Sequence, residues 1–198
     1  MSLIDRIAVD LTDPDNLAWT REELEAWADE ALGMVLSLDP KLFATKKVVE
    51  IEPCTEVHQP GCCDFVFSVI GLATKEGRVT KRLRRMESWG NPWPLSTNCR
   101  RKNRGPSRYY IEGRNNILIA PEVPAGSEAY LLVECASKDD IDKDNLPPGV
   151  DAAVVQWVLY RARNKDAESS VVADLGEANY AKMKDILAMV RTGEKVDG

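Results

Sequence analysis

The run FVFSVIGL, residues 65–72, indicates what kind of structure occupies the middle of the chain. β-Branched and aromatic residues fill most of this run, and a short apolar run of that kind predicts a largely buried β-strand. We expect the strand to be apolar on both faces, with turns at Gly71 and at Lys75-Glu76-Gly77. The middle of the chain is therefore predicted to form a β-sheet.

Similar short runs, separated by proline and glycine, lie on both sides of this strand. The predicted strands are Lys46 to Glu52 before it, and Val79 to Met86, Arg108 to Glu112, Ile117 to Ala120 and Ala129 to Cys135 after it. Turns are expected at 113–115 and 121–127. Because short turns join neighbouring strands in opposite directions, the sheet is predicted to be antiparallel.

Helical patterns replace the β-type runs at the N-terminal end. The segment Leu3 to Leu11 predicts a short helix that stops before Asp13-Pro14-Asp15. Thr20 stands three residues before Glu23, as in a capping box, so a second helix is expected to begin there and to close at Asp39-Pro40. Its expected apolar stripe consists of Leu24, Trp27, Ala31, Met34, Val35 and Leu38.

Two more helices are predicted after Pro147-Pro148-Gly149. The apolar face of the first consists of Val150, Ala153, Val154, Trp157 and Val158. The second covers Asp166 to Arg191, with a stripe of Val172, Leu175, Met183, Ile186, Leu187 and Val190 that Asn179 interrupts. We expect the helix core to contain Trp27, Trp157, Tyr160 and Tyr180.

Helices at both ends of a β insertion predict an α+β fold, in which the terminal helices pack together around a central antiparallel β-rich region. The predicted organisation is one domain, 1–198, made of N-terminal helices (1–44), a β-rich region (45–136), and C-terminal helices with a tail (137–198). No apolar window approaches a membrane span, and two aspartates interrupt the first ten residues, where a secretory peptide needs an apolar core. A cytosolic protein is expected.

Charge is divided unevenly along the chain. Residues 75–114 carry twelve basic and three acidic side chains, a net charge of +9, whereas the other 158 residues carry 14 basic and 29 acidic ones, a net charge of −15. Complementary faces on neighbouring copies of the chain would use this division. The alternative is that both regions are solvated surface of a monomer.

The basic region supplies the candidate contacts with a partner. They are Arg82, Arg84, Arg85, Arg100, Arg101 and Arg104, with Trp89 and Trp93 of the loop WGNPWP as amphipathic anchors. The tryptophans could instead fold back on their own domain. A basic-patch nucleic-acid-binding module that uses Arg82 to Arg85 and Arg100 to Arg108 is the alternative function, with Tyr109 and Tyr110 as stacking platforms.

No motif in the sequence points to an enzyme, because nucleotide-binding, metalloprotease, nucleophile-elbow and calcium-loop patterns are all absent. We expect no cofactor, no metal and no catalytic residue. Cys54, His58, Cys62 and Cys63 lie within ten residues, but their spacing matches no common zinc site. We expect reduced thiols, with Cys63 acting as a small buried apolar residue on a strand.

Short motifs near both ends resemble those of the bacteriophage head-to-tail adaptor family that includes tail tubular protein A. The C-terminal ones are Val158-Leu159-Tyr160-Arg161-Ala162, Lys165-Asp166-Ala167-Glu168 and Ala178-Asn179-Tyr180. The N-terminal ones are Glu23-Leu24, Trp27, Asp29-Glu30-Ala31 and Leu38-Asp39-Pro40. The resemblance implies a structural virion protein of a short-tailed phage that is assembled in the host cytoplasm.

Such an adaptor forms a dodecameric ring that joins the portal protein to the tail nozzle protein and lines the DNA exit channel. Charge complementarity then predicts that Arg100, Arg101 and Arg104 face acidic residues of the adjacent chain. DNA would pass without sequence-specific binding, so acidic side chains should outnumber basic ones on the channel wall. No membrane contact is expected.

The C-terminal tail is too poor in apolar residues to fold on itself. In the family that the chain resembles, this end of the protein reaches the portal. We therefore expect residues 192–198 to lie in a crevice between portal subunits, with Val196 buried. The predicted portal-binding residues are Arg191, Thr192, Glu194, Lys195, Val196 and Asp197.

Overall fold

The computed structural model describes residues 2–15, 17–88, 105–165 and 170–192. In this part of the chain there are four α-helices and eight β-strands, with the β-rich region between the N-terminal and C-terminal helices. The predicted α+β fold is confirmed. The chain divides into two compact units: a β unit, Phe43–Ser137, and a helical unit built from the described residues of Met1–Leu42 and Lys138–Gly198.

Both N-terminal helices begin at capping boxes. The first, α1 (Leu3–Asp10), is capped by Ser2, and the second, α2 (Arg21–Leu38), is capped by Thr20, whose side chain accepts a hydrogen bond from the Glu23 backbone while the Glu23 carboxylate accepts one from the Thr20 N–H. Each pair satisfies two backbone donors that a helix start leaves free. The predicted helix starts are therefore confirmed.

The C-terminal helices are α3 (Val150–Lys165) and α4 (Ser170–Thr192), which pack against each other. Both α1 and α2 also pack on α3, so the predicted packing of the terminal helices is confirmed. The Arg6 guanidinium on α1 pairs with the Asp151 carboxylate on α3 at 3.0 Å. Within the helical unit, α3 is the element that the other helices share.

The buried face of α2 is rotated from the predicted stripe. It consists of Leu24, Ala28, Ala31, Leu32, Val35 and Leu36. Trp27 and Met34 are half-buried and Leu38 is 67% exposed, because the face turned toward α3 follows the 24, 28, 31, 35 spacing. On α4 the buried face includes Asn179, Met183 and Ile186, while Leu175 is exposed, so Asn179 lies on this face rather than interrupting it.

The β unit contains two four-stranded sheets. The first has the order β1 (Thr45–Ile51), β8 (Ala129–Ala136), β3 (Phe65–Ala73), β4 (Val79–Arg82), and all of its neighbours are antiparallel. The second has the order β2 (Val57–His58), β7 (Asn116–Ala120), β6 (Arg108–Glu112), β5 (Arg84–Arg85). Its β5–β6 pair is parallel, an exception to the predicted antiparallel pattern.

Two expectations for the strands are wrong. Val79 to Met86 is two strands in different sheets, because the chain crosses from one sheet to the other at Leu83, which is buried in the core. Gly71 lies inside β3 rather than at a turn, whereas the turn predicted at Lys75-Glu76-Gly77 is present at 74–78, where Gly77 takes a positive φ of 84°. Apolar side chains occupy both faces of β3, as predicted, with Val66 and Val69 buried and Phe65, Phe67, Ile70 and Leu72 half-buried.

Residues from both sheets form one core. Its members are Val49, Ile51, Cys63, Val66, Val69, Leu83, Tyr109, Ile117, Ile119, Val123, Leu131, Val133 and Cys135. Leu131 and Val133 on β8 and Ile117 and Ile119 on β7 are fully buried, which places the centre of the core between these two strands. A search of the described residues finds no helix with the length and apolar character that crossing a membrane requires.

Candidate functional site

The clearest candidate for a partner contact is a run of four basic residues around Leu83, which we call the basic segment: Lys81, Arg82, Arg84 and Arg85. Leu83 is buried, and the four basic side chains on either side of it are exposed. Backbone hydrogen bonds from Arg84 N to Ser107 O (3.0 Å) and from Met86 N to Tyr109 O (2.8 Å) fix the second half of the segment. The cations are thus presented by a rigid backbone.

Local contacts leave the charges of the basic segment largely unneutralised. Lys81 Nζ donates to the Gly105 carbonyl at 3.2 Å, and an Arg85 guanidinium N–H donates to the Phe67 carbonyl at 3.5 Å. Within the residues that the structure describes, none of the four forms an ion pair with a carboxylate. Clustered cations with free hydrogen-bond donors fit an acidic protein surface or a phosphate backbone.

The predicted contact residues divide between the described and the undescribed parts of the chain. Arg82, Arg84 and Arg85 belong to the basic segment, but Trp89, Trp93, Arg100, Arg101 and Arg104 lie outside the described residues. In the predicted portal-binding tail, Arg191 and Thr192 are exposed at the end of α4, where Thr192 Oγ1 donates to the Met189 carbonyl at 3.0 Å. The rest of that set, Glu194, Lys195, Val196 and Asp197, lies outside the described residues.

Three of the four predicted helix-core residues come together between α3 and α4. The ring centroids of Trp157 and Tyr160 are 5.2 Å apart, those of Tyr160 and Tyr180 5.2 Å, and those of Trp157 and Tyr180 6.0 Å. Trp157 is buried and the two tyrosines are half-buried. Trp27 is also half-buried, with Lys165 Nζ 5.9 Å from its ring centroid. These contacts hold the helices together.

A groove of about 730 Å³ lies among α1, α3 and α4. Its lining includes Arg6, Asp10, Asp151, Val155, Lys182, Asp185, Ile186 and Met189. Three carboxylates and two cations surround an apolar floor, which suits a protein side chain better than a phosphate. Sequence reasoning missed this groove because α1 is far from α3 and α4 in the chain.

The loop between α1 and α2 presents an apolar side chain to solvent. The Asp13 carboxylate accepts backbone hydrogen bonds from Leu17 (2.8 Å), Ala18 (2.9 Å) and Trp19 (3.1 Å). Partial burial by itself would raise the pKa of Asp13, but these three donors together lower it. Leu17, at the tip of the loop, is 86% exposed.

Among the described residues, which include Cys54, His58, Cys62 and Cys63, no group of three or more His, Cys, Asp or Glu side chains is arranged to hold a metal ion. His58 is buried on β2, and its Nε2 has no hydrogen-bond partner there. Cys62, Cys63 and Cys135 are reduced, but Cys54 is disulfide-bonded, so the expectation of reduced thiols is wrong for Cys54. Cys63 is buried, although it precedes β3 rather than lying on it.

The described residues form two compact units, and the β unit presents the exposed cations of the basic segment. The family model of the SU10 adaptor protein matches residues 2–197, nearly the whole chain. The chain belongs to this family, which makes it a phage head-to-tail adaptor of the virion and implies a structural rather than a catalytic role. None of the curated proteins compared with the chain matches it.

Proposed function

We propose that this adaptor forms a dodecameric ring that joins the portal protein of a short-tailed phage to its tail nozzle protein and surrounds the DNA exit channel. The observation that carries the proposal is the family match, which extends across both the helical and the β unit. The chain is assembled in the host cytoplasm and passes into the virion. DNA moves through the ring without sequence-specific binding, along a wall on which acidic side chains outnumber basic ones.

Opposite charge on the two units supports ring formation. Residues 43–137 carry 14 basic and 10 acidic side chains, a net charge of +4, and the remaining residues carry 12 basic and 22 acidic ones, a net charge of −10. A ring needs a heterologous interface, in which one face of each copy meets a different face of the next. The basic segment of one copy and the acidic helices of its neighbour would provide two such faces.

Charge reversal of the basic segment tests the ring proposal. We expect the triple variant Arg82→Glu, Arg84→Glu, Arg85→Glu to assemble at least tenfold more weakly, because three attractive pairs of about 0 to 1 kcal/mol each become repulsive. Native mass spectrometry of the chain with and without portal protein measures this. A matched control, Lys46→Glu, Lys75→Glu, Arg78→Glu, changes the net charge equally at exposed sites of the same unit.

The two triple variants give distinct outcomes. Loss of assembly only in the basic-segment variant supports a specific interface, whereas equal loss in both variants indicates a general effect of net charge. Normal rings from the basic-segment variant would remove this segment from the interface. Arg100, Arg101 and Arg104 remain proposed contacts of the same kind, and a reversal of these three is tested in parallel with Trp89→Ala and Trp93→Ala.

The C-terminal tail is the proposed contact with portal. Ordering a short peptide costs about 1 to 2 kcal/mol per residue in backbone entropy, which a matching crevice between portal subunits would offset. We expect deletion of residues 192–198 to leave the thermal stability of the isolated chain nearly unchanged and to impair its attachment to purified portal. Co-sedimentation with portal measures attachment, and undiminished attachment would exclude the tail from this contact.

The second candidate function is nucleic-acid binding, which the exposed cations of the basic segment favour. Phosphate contacts release counterions, so affinity for DNA would fall steeply as salt concentration rises. A gel-shift assay at several salt concentrations distinguishes the two functions. Salt-sensitive DNA binding by a chain that does not assemble on portal would favour the alternative.

A further inference from the structure

We propose that Cys63 and Cys135 form an oxidisable dithiol that closes to a disulfide across the β unit when the protein meets a low-molecular-weight disulfide such as oxidised glutathione. The proposal concerns a modification site within one chain, so it does not depend on ring formation or on portal binding. It rests on the geometry of three thiols at one end of β3 and β8.

The two sulfur atoms already face each other. Cys63 Sγ lies 2.7 Å from Cys135 Sγ, and both side chains are buried in the core of the β unit, with 4% and 0% of their surface exposed. A disulfide bond is about 2.05 Å long. Closing the bond therefore requires an approach of only about 0.7 Å between two side chains that are already in contact.

The backbone around Cys63 is held in this position from several sides. Asp64 N donates to the Ala136 carbonyl at 2.9 Å, next to Cys135 on β8. Asn115 Nδ2 donates to the Cys63 carbonyl at 3.4 Å, and Lys47 Nζ donates to the Cys62 carbonyl at 2.8 Å. The pair is thus fixed by the β1, β7 and β8 regions rather than brought together by a flexible loop.

Cys62 can be compared with Cys135 as a possible disulfide partner of Cys63. Its Sγ lies 3.6 Å from Cys63 Sγ, and its side chain is exposed to solvent. Adjacent cysteines cannot readily adopt the dihedral angles of a disulfide, so Cys62 is a poor partner for Cys63 despite its position. We expect Cys62 to react first with an alkylating reagent, and Cys63 and Cys135 to form the bond.

The oxidation is two successive exchanges. One protein thiolate attacks a sulfur of oxidised glutathione, a mixed disulfide forms, and one glutathione leaves as a thiolate. The second protein thiolate attacks the protein sulfur of the mixed disulfide and displaces the second glutathione. The two protein thiols lose their protons to the two glutathione thiolates, so two thiols and one disulfide become one protein disulfide and two glutathione molecules. Burial raises the pKa of the Cys63 thiol, which makes the reaction slow.

The bond would close a long loop. Cys63 and Cys135 are 72 positions apart, so the disulfide would span most of the β unit. Cross-links that close long loops restrict the unfolded chain most. For a protein of this size we expect oxidation to raise the midpoint of thermal unfolding of the β unit by about 5 to 15 °C.

Peptide mapping of the full-length, unmutated chain tests the proposal directly. The protein is reduced and desalted, incubated with oxidised glutathione, unfolded in an alkylating reagent, digested without reductant and analysed by mass spectrometry. We expect a peptide cross-linked through Cys63 and Cys135, with Cys62 alkylated or glutathionylated. Recovery of Cys63 and Cys135 as alkylated peptides after prolonged oxidation, or cross-linking of either to Cys62 instead, would overturn the proposal.

Thermal unfolding of variants provides a second measurement. The oxidised-minus-reduced difference in midpoint should persist in Cys62→Ser and should fall in Cys135→Ser to the part that the Cys54 disulfide contributes. The second variant also controls for the Cys54 disulfide, which reduction removes from both proteins. An equal difference in unmutated chain and in Cys135→Ser would contradict the proposal, and the mapping result stands even if Cys135→Ser folds poorly.

Discussion

Asp13 and His58 are buried polar side chains that differ in how far hydrogen bonds compensate for the loss of solvent. The Asp13 carboxylate accepts three backbone hydrogen bonds, which compensate for the solvent it loses. His58 is 6% exposed, and in the described part of the chain its Nε2 has no partner. Burial lowers the pKa of His58, opposed by a hydrogen bond to the Thr55 backbone and by the charge of Glu52. The folded β unit therefore favours the neutral imidazole.

This preference predicts a loss of stability on mild acidification. The unfolded chain binds a proton at His58 near its ordinary pKa of 6.5, whereas the folded chain binds it only at lower pH. Stability is thus complete above about pH 6.5 and falls below it, by at most about 1.4 kcal/mol per pH unit. Urea unfolding at pH 7.5 and pH 5.5 measures this. Because His58 is the single histidine, His58→Gln should remove most of the difference; an unchanged difference would assign it to carboxylates.

At the scale of elements, β3 and β4 approach each other closely at Gly71. A Cβ atom at this position would lie 2.3 Å from the Lys81 carbonyl oxygen and 3.1 Å from the Arg82 Cα. Both contacts are with backbone, which cannot rotate away as a side chain would. Only glycine therefore allows β4 to pair with β3 and to carry the basic segment at its end.

We expect Gly71→Ala to destabilise the β unit by about 1 to 3 kcal/mol, since the methyl group must push β4 away from β3. Gly61→Ala is the matched control, because a Cβ there would meet nothing within 4 Å. Denaturant unfolding compares the two variants. Equal stability of both would mean that β4 moves at no cost, and would contradict the close approach.

The sequence predicted which segments form helices and strands better than it predicted their partners. The capping box at Thr20 and the apolar run at 65–72 are local signals, and both were read correctly as a helix start and a strand. The crossing at Leu83 and the parallel β5–β6 pair depend on contacts between segments distant in the chain, and no local pattern encodes them. β2 was missed because two residues are too few to show a period.

The residues of the candidate site were likewise predicted only where a local signal in the sequence marks them. Arg82, Arg84 and Arg85 could be selected from charge alone, and the structure places them on an exposed and rigid segment. Sequence patterns could not predict the groove among α1, α3 and α4 or the Cys63–Cys135 pair, because each assembles residues from separated parts of the chain. Cys63 in particular looked like an ordinary buried apolar residue until the position of β8 was known.

At the scale of the whole molecule, the β unit is an insertion between two halves of the helical unit. Its first and last strands are paired, with Thr45 opposite Cys135, so the chain enters and leaves the unit at neighbouring positions. The unit also has its own core, built from both of its sheets. These are the features of a part of a chain that can fold independently.

We therefore expect residues 43–137, expressed alone, to fold with a β-type circular dichroism spectrum and a single cooperative thermal transition. The N-terminal and C-terminal ends of this fragment lie next to each other because β1 pairs with β8. As a control, Leu131→Ala in the same fragment should lower stability by about 2 to 5 kcal/mol, because Leu131 is fully buried. A fragment without a cooperative transition would indicate that the β unit needs the helices to fold.

The pairing of Thr45 with Cys135 affects which part of the gene can be exchanged without disturbing the rest of the protein. A genetic exchange that replaces the codons between these positions would substitute one β unit for another, and the flanking helices would still be joined at the same spacing. Such an exchange would retain the helical segments while the inserted part diverges with a new partner. Related adaptors would then differ most between these two positions and least in the helices on either side.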